Sequence, residues 1–374
     1  MTWLEDQFHN TVGAAIRRKI SAFLPQPRTR RSTFTESVPR SIVVFRQGEN
    51  PSFSYFLEER LHFYSARIPV NVRCLDHDIT GINPEGCFVI ICRYLGWRQL
   101  NWIERHAAQL AGVGMFIDDD VSAIVLDQNT PLPYRAKLAR LHLWPLRRLN
   151  AHLDIVWAAT PALVSVLESN GAVVRLLPPL PTGSDVRPAK RTTRNYSLTI
   201  GYHATGIHRG EHAFLKPIID EILSRHENII FEVTAGGRNA SIWQDKKPAD
   251  SRLRILPPLP WKEFALRSRH SPTDIALVPL LDGRINSARA DTKRIDVSRM
   301  GAAAIYSNSE VYRRNQSAGE MLVENDYRAW IAAIETLVNS ESAREIARAA
   351  TLMTVERMRA AEPTIPGLFQ AEAK

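Results

Sequence analysis

The stretch Asp282–Ser307, DGRINSARADTKRIDVSRMGAAAIYS, decides the reading of this chain. Arg289, Lys293 and Asp296 fall at i, i+4 and i+7, so a helix carrying all three would align them on one stripe. Asn286 and Ser287 precede them as candidate N-caps. Gly301 and the small apolar run 302–306 predict a turn into a buried strand. Two cations and a carboxylate on the first turns of a helix match a nucleoside diphosphate. The cations and the helix N-terminus meet phosphate charge, and the carboxylate accepts ribose hydroxyls. A solvated surface helix of mixed charge has the same spacing and stays open as the alternative.

Outward from that stretch, strands alternate with helices. In the first half, apolar strands are predicted at 42–45, 70–75, 88–92, 113–117, 154–158 and 173–177, with helices at 54–65, 97–111, 134–150 and 161–169. After the proline-rich, charged segment LLPPLPTGSDVRPAKRTTRN (176–195), strands resume at 198–202, 229–234, 254–256, 275–279 and 303–307. Helices are expected there at 211–225, 291–300, 327–339 and 341–361. This alternation argues βαβ units and a mostly parallel sheet in each half. The fold class expected is α/β, two Rossmann-like domains facing a cleft, with a hinge near residue 185. The division expected is 1–40, an amphipathic helix and basic linker; 41–185, the first Rossmann-like domain; 186–340, the second; and 341–374, a C-terminal helix returning to the first.

At 374 residues the length fits two domains. The net charge of +9 is carried mostly by arginine, since only nine of 48 basic residues are lysine. No RNP motif or zinc-finger spacing accompanies it, so nucleic acid is not an expected partner. No apolar run of 18 residues exists, and the N-terminus lacks a signal-peptide pattern, so a cytoplasmic location is expected. Arg17, Arg18 and Lys19 close an N-terminal amphipathic pattern, which fits peripheral contact with an anionic membrane or packing on the neighbouring domain. Cys74, Cys87 and Cys92 show no zinc-ligand spacing and read as small core residues in a reducing compartment.

Polar loops gather at strand ends, where ligands bind in open α/β sheets. HATGIHRGEH follows the strand 198–202 and brings Gly206 and His208 to a helix start. AGGRN follows the strand 229–234, and LLDGRIN follows the strand 275–279. In the first half FIDDD ends a strand with Asp118, Asp119 and Asp120. A D-x-D holds a divalent ion in some sugar-nucleotide enzymes of another fold. Here a positioning or general-base role is preferred, beside a solvated strand end with an N-cap as the plain alternative. No metal is expected. His212 is expected to be structural. No nucleophile elbow, P-loop, dinucleotide fingerprint or H-E-x-x-H is present.

With those residues in view, the second half resembles the donor domain of GT-B glycosyltransferases, specifically the retaining, family-4-like bacterial branch of surface polysaccharide assembly. That branch carries N-x-x-K-S-x-x-K-x-x-E-x-x-x-x-G, met here by Asn286, Arg289, Ala290, Lys293, Asp296 and Gly301. Arg, Ala and Asp replace Lys, Ser and Glu, and Ala288 stands where the wider superfamily has an earlier glutamate. His208 and Glu211 match its H-x-x-D. Trp261 and Phe264, DIALVPL, and GEMLVENDYRAWIAAIETLV match further segments, and FIDDDVSA and VWAATPALVSVL do so in the first half. The resemblance spans about residues 40–340.

It implies transfer of a glycosyl group from a nucleotide diphosphate sugar to a hydroxyl of a glycan or lipid-linked acceptor. No cofactor beyond that donor substrate is implied. Gly206, Asn286, Arg289, Lys293, Asp296 and Gly301 would bind the donor. Asp118, Asp119 and His208 would be catalytic. Arg289 and Lys293 would stabilise the leaving diphosphate without a metal, and hinge closure would follow donor binding. A catalytically degenerate GT-B protein that binds a glycan or partner is the alternative that Ala288 raises.

Overall fold

The computed structural model describes residues 23–34, 37–186, 197–204, 206–244, 250–270 and 273–368. The chain divides into two compact units. One takes in the chain up to Pro178 together with the segment from Pro363; the other is Pro179–Glu362. The expected amphipathic helix at the N-terminus lies outside the described residues.

The first unit is built on a parallel sheet of β1 (Ser41–Arg46), β2 (Val70–Cys74), β3 (Cys87–Cys92), β4 (Gly112–Ile117), β5 (Ile155–Ala158) and β6 (Val174–Leu176). Their order is β2-β1-β3-β4-β5-β6. CFVIIC and GVGMFI are buried at every residue, as central parallel strands covered on both faces require. At Gly114 a Cβ would meet the Trp157 ring at 2.3 Å, so only a bare backbone lets that fully buried indole lie on the sheet.

Two segments are tied onto this unit. The basic linker proves to be strapped down rather than loose. Arg30 pairs with Asp154 at 2.6 Å, Gln26 Nε2 donates to Ser122 Oγ, and Val173 N–H donates to Thr29 Oγ1. Composition alone could not show this, because the partners lie about a hundred residues away. At the other terminus, Trp157 Nε1 donates to Pro366 O at 2.8 Å and Tyr64 Oη to Leu368 O at 2.9 Å, with Ile365 fully buried. The last long helix, Glu341–Arg359, packs on the second unit instead.

The second unit holds β7 (Leu198–His203), β8 (Ile229–Thr234), β9 (Leu253–Leu256), β10 (Ile275–Val278), β11 (Ala303–Ser307) and β12 (Met321–Val323). They form a parallel sheet ordered β12-β11-β10-β7-β8-β9. Along β10, Ile275 and Leu277 face one core with the helices Arg209–Arg225 and Tyr327–Asn339. Ala276 and Val278 face another core with Val297 and Met300. The order is that of a Rossmann sheet, whose switch point lies between β7 and β10. In the first sheet the order reverses between β1 and β3. The sequence pattern missed β12 and the helices Val121–Leu126 and Trp261–His270, all short or weakly periodic.

The decisive stretch folds differently from its spacing. A short helix, Arg284–Ser287, ends at Ala288, and the next helix is Lys293–Met300. Arg289 lies between them, so Arg289, Lys293 and Asp296 do not share a helix. Asn286 and Ser287 are within the short helix and do not cap the longer one. Nor is Lys293–Met300 a solvated surface helix: every residue from Arg294 to Met300 is buried. Its charges are neutralised from within. Arg294 donates to both Glu320 oxygens, to Asp291 and to Tyr312 O, at 2.6–2.9 Å. Arg299 donates to Asp185 at 2.8 Å and to Asp296 at 3.2 Å. Gly301, at φ 65, ends the helix in the left-handed conformation.

Candidate functional site

The carboxyl ends of β7 and β10 bring most of the expected residues of the second unit to one place. His208 stands at the N-cap position of the helix Arg209–Arg225 without a side-chain capping bond, and Glu211 sits in its first turn. Arg289 Nη1 lies 2.7 Å from His208 Nε2. A guanidinium can only donate, so Nε2 accepts and the ring proton belongs on Nδ1, which faces Glu211 Oε2 at 3.6 Å. Burial and the Arg289 charge push the His208 pKa down to about 4, so the imidazole is neutral near pH 7. Glu211 is held ionised: burial opposes this, but His208, its own backbone N–H and Asn286 outweigh burial. Asn286 Nδ2 donates to Glu211 Oε1 and Leu281 O, both at 2.8 Å. One carboxylate therefore fastens the loop after β10 to the helix after β7.

Lys293 Nζ donates to His203 O and to Asp296 Oδ2, each at 3.0 Å. Asp296 is buried, and Arg299 takes its other oxygen. The carboxylate expected to accept ribose hydroxyls is thus already engaged on both oxygens by cations. Gly206 is exposed beside the site, its carbonyl accepting from Asn239 Nδ2 at 3.2 Å. Gly301 stands at the far end of the helix from Lys293, about 12 Å along its axis at ~1.5 Å per residue. Its place is a cap, and its carbonyl accepts from Arg348 Nε at 2.7 Å. His212 is a core residue as expected, fully buried and accepting from Trp243 Nε1 at 2.9 Å. A recess that shares His203 with the site is lined by His203, Glu232, Thr234, Phe264 and Arg267.

In the first unit Asp118 and Asp119 follow β4 and converge on a residue the sequence reading missed, Arg93, which directly follows β3. Its Nη1 donates to Asp118 Oδ2 at 3.2 Å and to Ser52 Oγ at 3.0 Å, and its Nη2 donates to Asp119 at 2.8 Å. Nε approaches Asp118 Oδ1 at 2.9 Å, as an ion contact outside hydrogen-bond alignment. Arg93 has φ 63, the left-handed region that costs a non-glycine residue on the order of 1 kcal/mol. His142 Nδ1 donates to the Arg93 carbonyl at 2.7 Å. Burial and the neighbouring Asp119 charge raise the Asp118 pKa against the pull of Arg93. Asp120 caps the helix Val121–Leu126 through Ala123 N–H, the plain alternative for this acidic run. The only sequence signal for Arg93 was a cation immediately after a fully apolar strand.

Cys74 is half-buried rather than core, and its thiol, Asp76 and His77 place one donor atom each within 4.8 Å of one another. These residue types could hold a zinc ion. Among the described residues no helix is long and apolar enough to cross a membrane.

No family model matches the sequence, and no curated protein matches it. Solved structures are similar in fold. OtsA without ligand superposes with a TM-score of 0.52 at 11% identity, covering 85% of this chain and 96% of that one. HepE from Anabaena, in complex with UDP and glucose, gives 0.53 at 10%, covering 85% and 95%. A UDP-forming α,α-trehalose-phosphate synthase from Burkholderia xenovorans gives 0.50 at 12%, covering 86% and 96%. Likeness at this identity establishes the fold, and the chain has the GT-B fold.

Proposed function

We propose that this protein is a glycosyltransferase that moves a sugar from a nucleotide diphosphate sugar to a hydroxyl of a glycan or lipid-linked acceptor. Its place would be surface polysaccharide or glycolipid assembly. The observation that carries the reading is that Arg289, on His208, and Lys293, on the His203 carbonyl, both come to the Rossmann switch point of the second unit, where nucleotides bind in such sheets. Both cations are anchored: Arg289 by neutral His208, Lys293 by the His203 carbonyl and Asp296. A preorganised pair of this kind stabilises the charge that grows on a leaving diphosphate as the glycosyl cation forms. Asp296 then acts by holding Lys293 rather than as a free ribose acceptor. In the first unit Asp118, with its raised pKa and a cation beside it, is the group proposed to position or deprotonate the acceptor hydroxyl. Retention of configuration and independence from metal belong to the same proposal, and so does a uridine nucleotide, the one found with HepE.

A second reading, a GT-B protein that binds without turnover, is favoured by one feature. Ala288 is buried where an acid was expected, and both Asp296 oxygens are occupied.

The test is calorimetric titration with UDP, GDP and ADP. One nucleotide should bind, and Arg289→Ala and Lys293→Ala should each weaken it about tenfold or more, in line with ~1.5–3 kcal/mol for a hydrogen bond to charge. Affinity unchanged in both variants would sink the donor reading. Nucleotide release from UDP-sugars with a membrane lipid extract separates the transferase from the degenerate protein.

A further inference from the structure

A pocket of about 300 Å³ opens on the edge of the first sheet, lined by Arg40, Asn71, Arg73, Asn83 and Glu85 among others. It reaches from the amino end of β1 along the edge strand β2 to Arg73, the last residue but one of that strand. Arg40 and Ser41 are at the amino end of β1, and Pro69 directly precedes β2. Parallel register sets Val43 beside Asn71 and Phe45 beside Arg73, so alternate residues of the edge strand β2 turn polar groups to the same face. A free surface strand would serve with any polar residues there. These side chains instead line a hollow closed by the loop that runs through Gly81, Ile82 and Asn83.

Two features mark a built site. The stem of Arg40 lies across Gly86, where a Cβ would stand 2.8 Å from Arg40 Cδ, and Gly86 has a left-handed φ of +66. The bare glycine thus sets where that guanidinium goes. Arg73 Nε is buried with no hydrogen-bond partner. Arg40, Asn71 and Glu85 present exposed polar groups around it. A buried guanidinium donor left unpaired carries an uncompensated desolvation cost that a bound acceptor would offset. Two guanidinium forks recognise one oxyanion bidentately. Glu85 opposes a polyanion but accepts hydroxyls, as do the carboxamide oxygens. The volume is at the lower end of small-molecule pockets, that of a monosaccharide more than a nucleotide.

We propose that this pocket binds an anionic monosaccharide, one carrying a single phosphate or carboxylate, at a site separate from the switch points of both sheets. The oxyanion lies between Arg40 and Arg73, and the sugar hydroxyls meet Asn71, Asn83 and Glu85. The proposal does not depend on the donor reading, because the pocket belongs to the other unit.

Isothermal titration of the full chain with glucose 6-phosphate, glucuronate, glucose and inorganic phosphate tests it. Glucose 6-phosphate or glucuronate should bind, and the stronger of the two names the oxyanion. Neutral glucose and bare phosphate should each bind at least about tenfold more weakly. Arg73→Gln and Arg40→Gln should each weaken the sugar anion about tenfold while leaving nucleotide binding unchanged. If Arg73→Gln does not fold, as judged by circular dichroism, Asn71→Ala takes its place with the same expectation. Binding of neither sugar anion, phosphate binding as tightly as the sugar anions, or sugar-anion affinity unmoved by the substitutions each overturns the proposal.

Discussion

The two switch points carry opposite charge balances. In the first unit one guanidinium, Arg93, faces two carboxylates, Asp118 and Asp119. In the second, Arg289 and Lys293 stand at the carboxyl ends of the central strands, and the acids beside them serve as fasteners. Glu211 ties two segments together, and Asp296 is shared between Lys293 and Arg299. The first arrangement suits a group that must lose a proton or be held by acceptors; the second suits an incoming anion. Two sheets of related topology thus differ not in where polar groups gather, which parallel topology dictates, but in which sign is left over.

The largest effect expected from breaking this contrast is at Arg93. Arg93→Met would leave two half-buried carboxylates without this cation and should cost about 2–4 kcal/mol in urea unfolding, somewhat below the cost of breaking a fully buried pair. Adding Asp118→Asn should recover part of that. A loss below about 1 kcal/mol would mean that the acids are not held by Arg93 at all.

The next effect separates the units by acid. Burial lowers His203, His208 and His212 in the second unit and His142 in the first, each to about 4. In the unfolded chain these rings titrate near the ordinary 6.5, so the unfolded state takes up protons first. Stability is therefore full above about pH 6.5 and drains as pH falls toward 4, by on the order of 1 kcal/mol per pH unit for each such ring. With three such rings against one, the second unit should unfold at the higher pH. Tryptophan fluorescence and hydrogen exchange followed from pH 7 to 4 would show which unit opens first. His208→Gln should flatten the second unit's dependence by about one proton.

The smallest effect compares two left-handed residues. Gly301→Ala should cost about 1 kcal/mol, because the helix end there needs positive φ. Arg93 has the same conformation but keeps it through its ion contacts, so Arg93→Gly should destabilise less than Arg93→Met by about that amount. Equal losses would show that the left-handed backbone at Arg93 is unstrained.

The sheets were legible because buried parallel strands write continuous apolar runs, as in CFVIIC and GVGMFI. The site was legible in part. His208, Asn286, Arg289 and Lys293 do gather, although not as one stripe. The i, i+4, i+7 spacing of 289, 293 and 296 is helical, but the backbone breaks between Ala288 and Lys293, and Asp291 turns to Arg294 and Asn315. Spacing reports what a helix would do if the helix were continuous. Arg93 was invisible for a different reason. Its partners Ser52, Asp118 and Tyr134 are 25–41 residues distant and meet it only because β3 lies between β1 and β4. The edge-strand pocket was missed likewise, since Arg40 directly precedes β1 and Arg73 comes from β2.

The segment from Pro363 onward belongs to the unit that opens the chain, with Ile365 sealed in its core and Pro366 and Leu368 accepting from Trp157 and Tyr64. During synthesis that unit emerges early yet cannot close around Trp157 until the whole intervening unit has been made. The middle of the chain can finish folding first, and the beginning must wait for Ile365, Pro366 and Leu368 to arrive.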